Sequence, residues 1–422
     1  MSNINSTSFL LNLKDPNLDF SENIFETEII NGIETKIISA TLRNKPDICP
    51  CCGHSNISIH GYKTSNIKIP PVSEFNAVLR LKKQRYKCKL CNKTFTAQTN
   101  IVKKNCFISN NTKNTIAPSA GKKISEKDIA DRLNVGHNTV NRIINSFNKD
   151  YRVKHNYLPK VLCFDEFKST KTADGAMSFI YVDALKHSII DVVEDRRLNN
   201  LINYFNRFTK KARNSVKFIV MDMYKPYVSL VKKCFPKTKI IFDKFHIINS
   251  ISRALNKTRI KIMNENKEVY NKFKKYYKLL LMDSSNLDRS NLYWSRCFRK
   301  QMTQADIVNF LINQDEILKN TYYLYQNLLS AIKNKDEKKL KLLINSDLNN
   351  VSEYMKTSIK TFKKSKKYII NAIKYDYTNG VIEGINNKIK AIKRIAFGYR
   401  SFYNFRNRIL IMNHLICVNK AV

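Results

Sequence analysis

The sequence predicts a multidomain protein of α/β plus α class. Three observations carry that prediction. Two Cys-x-x-Cys pairs, Cys49/Cys52 and Cys88/Cys91, lie in the first quarter of the chain, a spacing suited to a tetrahedral sulfur site for zinc. A two-helix pattern with a tight turn follows at Ile124–Phe147. Beyond Pro159, short apolar runs ending in acids alternate with helical spacers before a long helical stretch, which is the pattern of an α/β sheet.

Composition narrows the partner. The 422 residues leave room for roughly two to four domains. Lys and Arg number 75 against 34 acids, a formal charge of +41. A charge that large, spread along the whole chain, calls for a polyanion, and nucleic acid is the leading one. An anionic membrane surface is the weaker alternative. No apolar run is long enough to span a bilayer, and there is no lipidation signal. The opening MSNINSTSFLLNLKD lacks the basic and apolar regions of a secretion signal. Of ten cysteines, four have metal spacing and the rest are scattered, which suits a reducing cytoplasm.

Residues 1–44 read as a hairpin segment, Phe25–Ile30 and Ile33–Leu42 flanking Asn31-Gly32. Residues 45–105 read as a zinc ribbon. Each Cys-x-x-Cys pair makes a knuckle, and strand-like runs at Ile67–Ile69 and Val78–Leu81 fill the spacer. Free thiols in a small basic domain are the alternative, and Cys51 and His54 are substitute ligands. No water-activating residue stands nearby, so this zinc is expected to be structural. Lys82, Lys83, Arg85, Lys87 and Lys93 suit phosphate contact.

Residues 106–150 read as a helix-turn-helix DNA-binding domain. Ser125 with Asp128 resembles a capping box. Ile129, Ala130 and Leu133 make the inner face of one helix, and Val140, Ile143 and Ile144 that of the next, with Asn134-Val135-Gly136 as the turn. His137, Asn138, Thr139, Asn141 and Arg142 face outward, able to meet base edges or phosphates. An ordinary helical hairpin is the alternative.

Residues 158–248 hold apolar runs at Val161–Phe167, Phe179–Leu185, Ile189–Val193, Phe218–Asp222 and Ile240–Asp243, with a helix near Leu198–Lys210. Asp165, Asp222 and Asp243 come at or near the ends of such runs, where open α/β sheets place their sites. Residues 249–375 read as a basic helical insertion whose aromatics, among them the only tryptophan, Trp294, are expected in its core.

Within residues 376–422, the stretch Tyr377–Ile409 contains one carboxylate, Glu383, in a run rich in Lys, Arg and Asn. On a helix, Ile382, Ile385, Ile389, Ile392 and Ala396 share one side, and Glu383, Asn387, Lys390 and Arg394 nearly the opposite one. Thr378 or Asn379 can cap its start and Gly398 its end. A lone acid on a basic face suits a metal that meets phosphate; a solvated charge face is the alternative. Asp165 and Asp222 are its candidate partners for two Mg²⁺ ions. Glu166, next to Asp165 on a strand, points to the other face. Asp183 reads as a surface or edge residue, and Asp243 competes with Asp222. His246 is open to a DNA contact or a structural hydrogen bond.

Several ordered motifs resemble one family. They are the helix-turn-helix, DEF at Asp165–Phe167, MDMYKPY at Met221–Tyr227, DKFH at Asp243–His246 and the block NGVIEGINNKIKAIKRIAFGYRSFYNFRNRIL. Together they look like a DDE transposase of the ISL3 insertion-sequence family, and CPCCG…CKLCNKTF resembles that family's zinc finger. The resemblance spans about residues 45–415. It implies an RNase H-like catalytic core, interrupted by a helical insertion before the final Glu, with Asp165, Asp222 and Glu383 as the triad. It also implies cutting and joining of double-stranded DNA at inverted-repeat ends. With it go two Mg²⁺ (Mn²⁺ as a substitute), a separate structural Zn²⁺, and Lys390, Lys393, Arg394 and Arg400 as phosphate contacts. A homodimer or larger synapse and a bacterial, nucleoid-associated location are expected, with no membrane. A DNA-binding regulator with an inactive core, or an RNase H-fold nuclease, is the alternative function.

Overall fold

The computed structural model describes residues 3–147 and 151–415. The ends of two expected domains, 148–150 and 416–422, lie outside the described residues. The chain forms two compact units. One comprises Met1–Arg152, Thr170–Ala173 and Asn387–Val422; the other comprises Val153–Ser169 and Asp174–Asn386.

In the first unit, helix α1 (Asn3–Leu10) precedes strands β1 (Leu18–Ile30) and β2 (Ile33–Leu42). Asn31 and Gly32 between the strands have φ of 52° and 78°, the left-handed pair that a two-residue hairpin needs. Strands β3 (Ile57–Val72) and β4 (Phe75–Cys88) form a long antiparallel hairpin, far longer than the short runs visible in the sequence, and β5 (Thr94–Thr96) adds to β4. The sheet order is β1-β2-β4-β3, with β2 parallel to β4. The 1–44 hairpin is therefore not separate from the ribbon. A lone hairpin is marginal in water, and Ile38, Ala40 and Leu42 are buried with Ile67, Leu79 and Leu81 in one core.

Helices α2 (Asn110–Ala120), α3 (Glu126–Arg132) and α4 (His137–Ser146) follow. Ser125 and Asp128 form a reciprocal capping box at the start of α3. Asn134, at φ 49°, makes the turn. Ile116, Ile129, Ala130, Leu133, Val140 and Ile144 make the core of these helices.

The second unit has a mixed sheet. Strands β6 (Val161–Lys168), β7 (Met177–Asp183) and β8 (Ser188–Val193) are antiparallel neighbours. Helices α5 (Leu198–Asn206) and α6 (Lys210–Ser215) lead to β9 (Phe218–Met221), parallel to β6. Helix α7 (Lys225–Cys234) leads to β10 (Lys239–Phe242), parallel to β9. The order is β10-β9-β6-β7-β8. Ser178–Asp183 are all buried, so both faces of the sheet are covered. On one face Phe164 stacks on Phe205 at 5.7 Å and meets Phe179 edge-on at 5.1 Å.

Seven helices follow in this unit: α8 (Lys244–Glu265), α9 (Tyr270–Leu281), α10 (Gln304–Ile312), α11 (Glu316–Lys333), α12 (Glu337–Asn345), α13 (Glu353–Lys364) and α14 (Lys366–Lys374). Phe273, Tyr322 and Tyr325 are buried as expected, but Trp294 is 65% exposed. It sits on a hairpin of β11 (Tyr293–Ser295) and β12 (Lys300–Met302), strands too short to show alternation in the sequence. Helix α15 (Gly380–Ile395) begins in the second unit, while its later turns belong to the first. Helix α16 (Phe402–Met412) places Leu410 and Ile411 in the core of α2–α4. Residues 376–422 thus do not stay together as the end of the sheet domain, because the apolar face of α16 is buried elsewhere. Among the described residues, no helix is long and apolar enough to cross a membrane.

Candidate active site

The cysteine knuckles come from two turns at the end of the β3–β4 hairpin. Gly53, at φ 73°, donates its N–H to Cys49 O, and Asn92, at φ 58°, donates to Cys88 O. The four Sγ atoms of Cys49, Cys52, Cys88 and Cys91 lie within 4.8 Å of one another. Cys49–Cys91 is 3.7 Å and Cys52–Cys88 is 3.6 Å, close to the roughly 3.8 Å edge of a tetrahedron with Zn–S bonds of about 2.3 Å. Backbone N–H groups of Cys51 and Cys52 draw the Cys49 thiol down to about 7, toward the thiolate that binds metal. Cys51 instead accepts from Lys93 Nζ at 3.1 Å, and His54 Nδ1 accepts from Asn56 N at 3.1 Å. Neither belongs to the cluster.

The carboxylates gather at one edge of the mixed sheet. Asp165 lies inside β6 rather than at its end, but β6 pairs with β9 only as far as Cys163↔Val220. Asp165 is thus past the parallel partner, next to the point where Asp222 leaves β9. Asp243 follows β10 and occupies the N-cap position of α8. Strand alternation sets the orientations. Cys163 and Asp165 face α15 and the segment before it: Cys163 Sγ is 3.6 Å from Thr378 O, and Asp165 Oδ2 accepts from Asn386 Nδ2 at 2.7 Å. Glu166 points the other way, where it accepts from Tyr227 Oη at 2.7 Å and pairs with Arg196.

Asn379 takes the cap position of α15. Ile382 N and Glu383 N donate to its carbonyl, its N–H donates to Asp243 Oδ1 at 3.2 Å, and its Nδ2 donates to Phe164 O at 3.2 Å. Glu383 is exposed in the first turn. A cleft of about 290 Å³ is bordered by Asp165, Asp243, His246, Asn379 and Glu383. His246 Nε2 is 3.1 Å from Asp222 Oδ2. The tightest group of potential ligands here is Asp222, Asp243 and His246, with Asp165 and Glu383 beside it rather than in it. The sequence offered Asn379 as a cap of this helix, but not its bonds to Asp243 and Phe164 O, and it gave no sign that Asn386 meets Asp165.

Burial, then the charges of Asp222 and Glu166, push the Asp165 carboxyl up to about 7, against the pull of the Glu166 N–H. Burial, then the charges of Asp243 and Glu166, push Asp222 to about 7 as well, with the Asn379 side chain pulling down. Desolvated acids crowded by other carboxylates behave this way. Asp222 Oδ1, Asn379 Oδ1 and Asn386 Oδ1 are buried without a hydrogen-bond partner. Orphaned oxygens beside strained carboxylates fit a hard divalent cation.

In the first unit, His137, Asn138 and Arg142 of α4 are exposed and Thr139 is half-buried. Asn141 is committed inward: its Nδ2 donates to Glu126 at 3.0 Å and its Oδ1 accepts from Asn145 at 2.9 Å. Lys390, Arg394 and Arg400 are exposed, and Lys393 lies over the Phe405 ring at 5.8 Å.

Residues 162–409 match the ISL3-type DDE family model described as "Transposase". Residues 45–91 match "zinc-finger of transposase IS204/IS1001/IS1096/IS1165". The chain is 20% identical over 366 residues to "Transposase for insertion sequence element IS1001" of Bordetella parapertussis, covering 84% of this chain and 85% of that one. It is 40% identical over 110 residues to an "ATP-dependent protease" of Lactococcus lactis subsp. lactis, 26% of this chain, and spans only 35% of that protein. The "Drosophila P element transposase strand transfer complex" aligns over 75% of this chain and 94% of that chain at 10% identity, with a TM-score of 0.36, too low to define a shared fold.

Proposed function

Since the chain belongs to the ISL3 family of transposases, we propose that it binds the inverted-repeat ends of an insertion sequence and carries out metal-dependent strand cleavage and strand transfer. The observation that carries this reading is the convergence of Asp165, Asp222 and Asp243 at one sheet edge with Asn379, the cap of the helix bearing Glu383. Three antiparallel strands followed by two parallel ones, in the order β10-β9-β6-β7-β8, support an RNase H-like core, with the helices from α8 to α14 as its insertion. The α3–α4 pair supports a helix-turn-helix. With the ribbon and its structural Zn²⁺, it would recognise the ends.

Asp165, Asp222 and Glu383 would hold Mg²⁺, with Mn²⁺ as a substitute; when bound, such ions neutralise phosphodiester charge and activate a water or 3′-hydroxyl. The chain's own residues orient the acids. Asn386 fixes Asp165, and His246 meets Asp222. Asn379 pins the first turn that carries Glu383, where the helix dipole favours negative charge. Lys390, Lys393, Arg394 and Arg400 are proposed phosphate contacts, and His137, Asn138, Thr139 and Arg142 the contacts of the recognition helix. Joining two ends requires a homodimer or larger synapse, in a bacterial cytoplasm at the nucleoid.

The test is a strand-transfer assay on inverted-repeat DNA with Mg²⁺, comparing wild type with Glu383→Gln. Joined product from wild type and none from the variant is expected. Binding without cleavage by wild type would mean a regulator, and cleavage without joining a nuclease. Cleavage retained by the variant would remove Glu383 from the triad.

A further inference from the structure

We propose that the groove between α8 and α13 is a track for a single strand of DNA leading away from the carboxylate edge, an assignment that rests on the transposase reading above. The groove encloses about 510 Å³ and opens at Asp222, Glu166 and His246. From there its α8 wall presents Asn249, Arg253 and Lys257. With His246, these positions are spaced three and four residues apart, so they form one helix face. At about 1.5 Å per residue, Arg253 lies about 10 Å and Lys257 about 16 Å along the axis from His246.

The charge changes along the track. In the first hollow carboxylates occur only at the mouth; beyond it the lining side chains are cationic or neutral. Arg253 is exposed, and among the described residues it has neither a hydrogen bond nor an ion pair. A guanidinium left open in a groove that starts at a phosphodiester-cutting edge is matched to phosphate. On the α13 wall, Tyr354 is 40% exposed and Lys257 Nζ lies 5.7 Å from its ring centroid. An aromatic face beside cations is how proteins hold unpaired bases, through stacking and backbone charge together. The track continues into a second hollow of about 420 Å³ bordered by Lys257, Lys261, Glu265 and Tyr354, in which Glu265 lies 3.9 Å from Lys261 Nζ and Lys257 is the cation nearest the ring.

The groove is built before any strand arrives. Ser358 Oγ donates to Ser250 O at 3.5 Å, and Thr258 Oγ1 donates to Ser352 Oγ at 2.6 Å, tying the two walls together. Ile251, Leu255, Met355 and Ile359 are buried on the inner sides of the two helices. Its volume is that of a small-ligand cleft. A duplex, whose major groove alone is about 12 Å wide, does not fit such a space, whereas nucleotides of one strand do.

The test uses the full-length protein and a precut end duplex, either blunt or carrying a single-stranded extension of about 12 nucleotides, with binding read by fluorescence anisotropy. Wild type should bind the extended duplex about tenfold more tightly. The double variant Arg253→Ala/Lys257→Ala should lose most of that gain and reduce the salt slope of the extended complex by about 1–2, while its affinity for the blunt duplex and its melting temperature stay at the wild-type level. Tyr354→Leu should lose much of the gain and Tyr354→Phe should keep it. No gain in wild type, or a full gain in the double variant, overturns the track. A wild type that binds neither duplex overturns the DNA reading and the track together, a result distinct from loss of the extension effect alone.

Discussion

Asn379 donates its backbone N–H to Asp243 Oδ1 at 3.2 Å, joining the start of α15 to the start of α8. The same residue reaches the Phe164 carbonyl, one position before Asp165. A helix that begins more than a hundred residues after β10 is thereby held against the strands that carry the aspartates.

Asn379→Ala should therefore weaken both fold and site. Losing the amide leaves Phe164 O buried without that donor, a cost of about 1–2 kcal/mol. The expected outcome is a lower melting temperature with strand transfer reduced at least tenfold. Retention of full activity would show that the first turn of α15 does not need the side-chain bond to Phe164 O, the backbone bond to Asp243 being kept in the variant.

Stability should couple pH to metal. Asp165 and Asp222 have carboxyls raised to about 7 in the metal-free fold. A raised acid binds its proton more tightly folded than unfolded, so its contribution is complete below the unfolded value near 4 and is lost as pH rises through about 7. The metal-free protein should lose stability across that window. Stabilisation by added Mg²⁺ or Mn²⁺ should grow over the same range, since cation and protons compete for the same oxygens. Thermal melts with and without cation from about pH 5 to pH 8 measure this, and Asp222→Asn should flatten the dependence.

Zinc should follow four cysteines and ignore the fifth. Cys88→Ser should lose bound zinc and cost several kcal/mol of ribbon stability. Cys51→Ser should keep one zinc per chain, because Cys51 Sγ faces Lys93 rather than the cluster. Metal analysis and melting of the two variants decide it.

Two neighbours on α4 should behave differently. Arg142 is exposed, so Arg142→Ala should weaken binding to end DNA with little change in melting. Asn141 donates to Oε2 of buried Glu126, so Asn141→Ala should cost about 1–3 kcal/mol of stability. Equal loss of binding with unchanged stability in both variants would contradict the inward role of Asn141.

Much of this could be read from the residues, because local signals fix local structure. Asn31-Gly32, the Ser125/Asp128 box, the paired Cys-x-x-Cys turns and the apolar runs each act within a few residues. The distribution of elements between units was less legible. The apolar stripe of α16 says that it must be buried but not against what, and Leu410 and Ile411 went to the core of α2–α4. Likewise Trp294 gave no sign that its hairpin leaves it in solvent.

By itself the sequence determined the element types, the cysteine set, the basic charge and the family, since these depend on side-chain identity and short-range spacing. Tertiary structure decided what meets at the sheet edge. It set Asp243 and His246 beside Asp222, aimed Asn386 at Asp165, turned Glu166 and Asn141 away to structural partners, and opened a groove along α8. Those pairings join residues tens to hundreds of positions apart, and which of several acids and amides converge depends on strand register and helix docking.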